Sequence, residues 1–309
     1  MKKTISLCIV FFIISVILTS CQTISKNPYP KILVKVFNNR NLYLLCSDKS
    51  DLMIFIDGSG MNSVLGVKDG DTWKSVEFSY FVINTYMNEY DIAIPEKLNF
   101  TLGENCVNNE QKLKNYTVDG LVTAYTQTID GYLNTKKYNK IILFGVSEGG
   151  LLLPKIYNNL ENKANITKLV VWGAGGYSQY DTFKILANST VQMPKEYKAE
   201  CSRIDEVDGD IKKNPYSMNK FYFGWPYNRW SSFFNYEPIK EYESINVPIL
   251  FIQGLYDYSS PVESVKYIQE KYSDKHYKYL FYKMGHTPDT FNDIKKILSD
   301  ISLWIKRTK

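Results

Sequence analysis

The sequence predicts an α/β fold: a mostly parallel central sheet with helices on both faces. Three observations carry that prediction. After residue 30, short apolar runs alternate with stretches of helical spacing, the pattern of βαβ units. Runs such as "LMIFI" (52–56) and "KIILFGV" (140–146) lack polar alternation, so both of their faces are expected to be covered. The 309 residues, 44% hydrophobic and 15% aromatic, suffice for one large core.

The elements follow in order. "KILVKVF" (31–37) and "NLYLLCS" (41–47) flank "NNR", which reads as a hairpin turn and suggests an antiparallel edge. "LMIFI" (52–56) and "YDIAIP" (90–95) are buried strands. Val118, Leu121, Val122, Tyr125, Ile129 and Leu133 form one stripe, predicting a helix over 117–134. Further strands are expected at 140–146, 168–175, 247–254 and 277–284. The chain then ends in a helix presenting Ile294, Ile297, Leu298, Ile301 and either Trp304 or Ile305 on one face. Between about 176 and 245 no strand signal is strong. A charged stretch (195–213) and the aromatic cluster "FYFGWPYNRWSSFFNY" (221–236) predict an inserted cap of irregular or helical structure. Such an insert on a rigid scaffold is where a substrate pocket is expected.

Lys2 and Lys3 precede an apolar run, Ile5 to Leu18, and then "LTSC" (18–21). A basic start, an apolar core and small residues before the break make a secretory signal, rather short for a membrane span. The ending resembles a bacterial lipobox. That resemblance implies a signal peptide over 1–20, lipidation of Cys21, a tether over 21–30 and a domain over 31–309 held at the membrane in the cell envelope. Gln22 after the cysteine favours the outer membrane, periplasmic side, in a Gram-negative cell. An uncleaved N-terminal anchor is the alternative. Without Lys2 and Lys3 the formal charge of +5 becomes 5 − 2 = +3, too weak to argue for nucleic acid. Of five cysteines, Cys8 and Cys21 fall in this segment, leaving Cys46, Cys106 and Cys201. Cys46 lies in a strand pattern and reads as a buried thiol. Cys106 and Cys201 lie in polar, loop-like stretches where an oxidising compartment permits a disulfide, and the sequence does not decide the pairing.

"GVSEG" (145–149) carries the chemistry. It follows a predicted strand and opens a helix-like stretch, the context of a nucleophile elbow. A sharp strand-to-helix turn exposes the hydroxyl of Ser147, and side chains on its neighbours would clash, hence the glycines. Pro154 departs from a clean helix behind it. The chain has two histidines. His286 follows the strand 277–284, at the carboxyl ends where this architecture places its chemistry, whereas His276 precedes that strand. Asp257 follows the strand 247–254 and completes the order Ser, Asp, His; Asp274 precedes a strand and Asp289 is only local to His286. Oxyanion donors are expected from the N–H of Glu148, after the serine, and of Ser59 in "DGSG" (57–60), where Gly58 and Gly60 let the backbone approach a substrate. The Glu148 carboxylate is itself a candidate for a peptide amino terminus, or simply a helix-start glutamate.

"GVSEGG", "GLYDYSSP" (254–261) and "GHTP" (285–288) together resemble an α/β-hydrolase of the dienelactone-hydrolase and prolyl-oligopeptidase-like branch, over about 31–306. Asp57 stands where many relatives carry histidine. The resemblance implies Ser147 as nucleophile, His286 as base and then acid, Asp257 as orienter, and transfer of a small-molecule or other acyl substrate to water without metal or cofactor. Ester, thioester and amide substrates all fit, esterase before peptidase. Acyl transfer by the same triad, and a non-catalytic envelope lipoprotein retaining the fold, stay open, as does the oligomeric state.

Overall fold

Two asparagines turn the first hairpin. Strands β1 (Leu33–Phe37) and β2 (Arg40–Leu45) are joined by Asn38 and Asn39, with φ 50° and 61°. Positive φ at both central residues matches the right-handed twist of paired strands, and asparagine tolerates it. The computed structural model describes residues 28–45, 48–105 and 110–308. The expected signal peptide, Cys21, most of the tether, Cys46 and Cys106 lie outside them.

Strand β3 (Asp51–Ile56) follows, then a small hairpin of β4 (Val67–Asp69) and β5 (Thr72–Ser75) and helix α1 (Ser79–Tyr86). Next come β6 (Asp91–Pro95), α2 (Val118–Leu133), β7 (Lys140–Val146), α3 (Glu148–Asn159) and β8 (Ile166–Trp172). Thr117 caps α2, its side chain accepting from the Gly120 N–H. After an excursion described below, β11 (Ile249–Gly254), α9 (Val262–Lys271), β12 (Tyr277–Tyr282) and α10 (Phe291–Arg307) complete the body. The eight-stranded sheet has the order β1-β2-β6-β3-β7-β8-β11-β12. From β6 to β12 all pairings are parallel, and β1 and β2 form the expected antiparallel edge.

Strand alternation explains the continuous apolar runs. Leu52, Ile54 and Ile56 of β3 join the core on one face, with Leu121 and Ile129 of α2 and Leu152 and Ile156 of α3. Met53 and Phe55 join the other, with Val82 and Ile83 of α1 and Ile294, Ile297, Leu298 and Ile301 of α10. Each such fully buried side chain contributes roughly 2 kcal/mol. Tyr29, at the end of the expected tether, is not free: its ring packs on Trp73 and Tyr80, and its hydroxyl bonds the Leu65 carbonyl.

Between β8 and β11 the chain forms α4 (Gln179–Asn188), α5 (Lys195–Ser202), α6 (Ile204–Lys213), a hairpin of β9 (Phe221–Tyr222) and β10 (Trp225–Pro226), α7 (Tyr227–Phe234) and α8 (Pro238–Glu241). None of it joins the central sheet. The charged stretch 195–213 is helical because its apolar residues, Tyr197, Cys201, Ile204, Val207 and Ile211, all turn inward. Cys201 is thus a buried free thiol on a helix, not a loop residue. Phe183 lies in ring contact with Tyr222, Phe223, Trp230 and Phe234, so most of the aromatic cluster packs on itself.

Candidate active site

Ser147 occupies the turn between β7 and α3 with φ 54° and ψ −120°. That conformation is costly for a residue with a side chain and persists only where its surroundings enforce it. Its N–H donates to the Trp172 carbonyl at 2.8 Å, and its carbonyl accepts from the Leu151 N–H at 2.8 Å. The flanking glycines leave no space for side chains. A Cβ on Gly145 would lie 2.6 Å from the Gly149 carbonyl oxygen, and one on Gly149 would lie 2.3 Å from that of Ile56. Helix α3 runs on through Pro154 without interruption.

Asp257, 1% exposed, sits in the loop after β11. Its Oδ1 accepts from the N–H groups of Ser259 (2.7 Å) and Ser260 (2.8 Å). Its Oδ2 accepts from Gln253 Nε2 (3.2 Å) and meets His286 Nδ1 at 2.8 Å. His286 follows β12 with its side chain 18% exposed. Burial opposes the charged ring, but the Asp257 carboxylate and its hydrogen bond outweigh burial and hold His286 above its ordinary value. Trp172 and Gly173 link the two halves. Trp172 receives the Ser147 N–H and gives its indole N–H to the His286 carbonyl at 3.3 Å. Gly173, at φ 62°, carries the imidazole directly: a Cβ there would lie 2.8 Å from His286 Cε1. No direct hydrogen bond joins Ser147 to His286 among the described residues. His276, Asp274 and Asp289 are exposed.

The loop after β3, which carries Ser59, comes up to the same serine at Gly58. A Cβ on Gly58 would lie 3.0 Å from Ser147 Cβ and 3.5 Å from its Oγ, so the loop backbone lies against the serine. Lys97 anchors this loop from beneath. Its side chain is 1% exposed, and Nζ donates to the carbonyls of Gly60 (3.2 Å) and Asn62 (3.1 Å) and lies 3.6 Å from Asp57 Oδ2. Burial pushes the Asp57 carboxyl above its ordinary value although Lys97 pulls it back. Glu77 accepts from Asn62 Nδ2 at 2.9 Å, and burial pushes it up to about 7 against the pull of Lys97.

Glu148 heads α3. Its carboxylate is already engaged: Oε2 lies 2.5 Å from Arg229 Nη2 of α7, and Oε1 accepts from the Tyr116 hydroxyl at 3.2 Å. The side chains of both ion-pair members are about 95% buried. The candidate partner for a peptide amino terminus is thus already paired with an arginine. The segment between β8 and β11 also touches the acid loop, where Tyr197 packs edge-on against Tyr258 at 5.6 Å.

Lys97, Arg229 and Gln253 went unpredicted. Arg229 carried a signal, a lone basic residue inside an aromatic run. Lys97 carried a weaker one, a charged pair straight after a buried strand. Among the described residues, no group of three or more His, Cys, Asp or Glu side chains is placed to hold a metal.

No family profile and no curated protein matches the sequence. Solved structures do. Acylaminoacyl peptidase from Pyrococcus horikoshii superposes with TM-score 0.59 at 12% identity, covering 90% of this chain and 41% of its own, so this chain spans less than half of that protein. An esterase from Exiguobacterium antarcticum gives TM-score 0.56 at 13% identity, covering 90% of this chain and 100% of its own. Est1E from Butyrivibrio proteoclasticus, solved with ferulic acid, gives 0.59 at 14%, covering 88% and 98%. At such identities the likeness speaks for architecture alone, and with the sheet order and the serine turn it establishes that this chain has the α/β-hydrolase fold.

Proposed function

We propose that the chain is a serine hydrolase that cleaves an ester, or a related acyl bond, through an acyl-enzyme on Ser147. The observation that carries this reading is one strained serine, Ser147 at φ 54°, held on the same Trp172–Gly173 shelf as a half-buried His286 paired with a buried Asp257. A free hydroxyl is a poor nucleophile at neutral pH. His286 takes the Ser147 proton as Oγ attacks the acyl carbon, then returns it to the leaving group. Asp257 fixes the imidazole tautomer and stabilises the imidazolium. The N–H groups of Glu148 and Ser59 receive the oxyanion, each worth roughly 3 kcal/mol of barrier. Water then repeats the sequence on the acyl-enzyme. The esterases and the peptidase among the structural neighbours support hydrolysis. Ester is favoured over peptide because the Glu148 carboxylate is committed to Arg229.

The test is fluorophosphonate labelling of the form beginning at Gln22, read by intact mass. One adduct on the parent is expected, absent from Ser147→Ala and much slower in His286→Ala. A folded parent that takes no adduct overturns the proposal. The lipobox-like start supports attachment to the cell envelope through a lipid on Cys21. Growth with an alkyne fatty acid should label the full-length parent and not Cys21→Ser.

A further inference from the structure

The residue that offers an oxyanion its N–H also carries a buried negative charge. Glu148 begins α3, one residue after Ser147, and is 7% exposed. Its carboxylate acts on the oxyanion loop as well, adding to the upward push on Asp57. A tetrahedral intermediate on Ser147 would develop its own negative charge at the same corner. Left alone, the Glu148 carboxylate would oppose it in a poorly screened interior.

Arg229 is the counter-charge. Its Nη2 meets Glu148 Oε2 at 2.5 Å, while Nε and Nη1 are buried without a hydrogen-bond partner among the described residues. Three rings enclose the guanidinium: Trp225 at 4.6 Å, Trp230 at 4.5 Å and Phe233 at 4.1 Å. Tyr116, its ring tilted against Trp225 at 4.8 Å, supplies the second donor to Glu148. Arg229 is thus directed to one acceptor, and the aromatic cluster serves to hold it there. The helix dipole favours a glutamate at this position, but by less than burial of its charge costs, so the carboxylate needs this partner.

We propose that Arg229 is a positioning residue for the hydrolysis argued above. It cancels the Glu148 charge beside the oxyanion and holds the Glu148 peptide where its N–H meets that oxygen. The inference rests on the serine-hydrolase reading. It also gives the segment between β8 and β11 a part in the chemistry, because α7 brings the cation.

The experiment measures the rate of fluorophosphonate labelling, and kcat and KM on p-nitrophenyl butyrate, for the parent, Arg229→Met, Glu148→Gln and the double variant. Thermal melts confirm that each is folded. Arg229→Met leaves a buried carboxylate unpaired, and its labelling and kcat should fall at least about tenfold, with KM moved far less. The double variant should recover most of that loss, because no charge is left to cancel. Glu148→Gln should outpace Arg229→Met by about tenfold or more, since the charge it leaves attracts an oxyanion. A bridge that only braces the fold predicts equal losses in both single variants and no recovery in the double. That pattern, or a folded Arg229→Met as fast as the parent, overturns the inference. A parent that does not label at Ser147 overturns the hydrolase reading instead, so the two failures are distinct.

Discussion

Among the described residues His286 faces one charged group, the Asp257 carboxylate 2.8 Å from its Nδ1, and that contact raises it. The ordinary value is 6.5, and the carboxylate holds this imidazole above it against burial. A protonated ring cannot accept the Ser147 proton. Labelling should therefore fail as pH drops through an apparent value above 6.5, not at it. Asp257→Asn removes the charge that raises the ring. Its rate limb should move to lower pH while its plateau falls by roughly 10³–10⁴-fold, through loss of the tautomer and of imidazolium stabilisation. A pH–rate profile of both proteins checks this. An unmoved limb in Asp257→Asn would show that the carboxylate does not govern the base. Ser147, Asp257 and His286 were read as positions in order along the chain, each after a strand that its apolar run announced, and the fold places each of them shortly after such a strand. Lys97 and Arg229 were not, since their partners lie 37 and 81 residues away in sequence and only the folded chain brings them together.

At the level of elements, legibility followed pattern strength. The buried strands and α2 were readable because period 2 and period 3.6 give different stripes over enough residues. Hairpin β4–β5 was not, because three- and four-residue strands of mixed polarity carry no period. Helix α1 was not, because "SYFVINTY" is apolar around most of its circumference, with Phe81, Val82 and Ile83 consecutive and buried. Glycines separate geometric need from tolerance. Helix α3 approaches β3 so closely that a Cβ on Gly149 would fall 2.3 Å from the Ile56 carbonyl oxygen and 2.5 Å from that of Asp57. Gly149→Ala should cost about 3 kcal/mol or more, since backbone on both sides must move. Gly209, inside α6, would place a Cβ within 4 Å of nothing. Gly209→Ala should instead stabilise by up to about 1 kcal/mol through helix propensity. Paired thermal melts decide it: equal shifts in the two variants would mean that close approach at the serine turn is not what requires glycine.

Across the whole molecule, one group of charges gathers beneath the Ser147 turn and the loop after β3, at the carboxyl ends of β3 and β6, with Asp57, Glu96 and Lys97 buried and Glu77 half-buried. Asp57, Glu77 and Glu96 converge there on Lys97. Glu96 is fully served, accepting from Tyr43, Ser63, Val64 and Lys97 N–H or O–H donors between 2.6 and 3.0 Å. Glu77 is not. Asn62 Nδ2 is its side-chain donor, Lys97 attracts it, and Asp57 and Glu96 repel it. Burial dominates and pushes Glu77 up to about 7 from 4.5. The consequence for stability has a definite sign. Between those values the native chain keeps the Glu77 proton and the unfolded chain has lost it. The native state therefore binds more protons, and stability falls as pH rises through that window. His286, also raised in the folded state, contributes in the same direction. Replacing Glu77 by Gln isolates its share, because the amide oxygen can still accept from Asn62 and no longer needs a proton to be neutral. Melting temperature measured from about pH 5 to about pH 8 should fall in the parent and fall less in Glu77→Gln, with the variant the more stable at the upper end by roughly 1–3 kcal/mol. Parallel curves, or a variant less stable at about pH 8 than the parent, would mean that Lys97 keeps Glu77 ionised at little cost and that the cluster is a satisfied ion network.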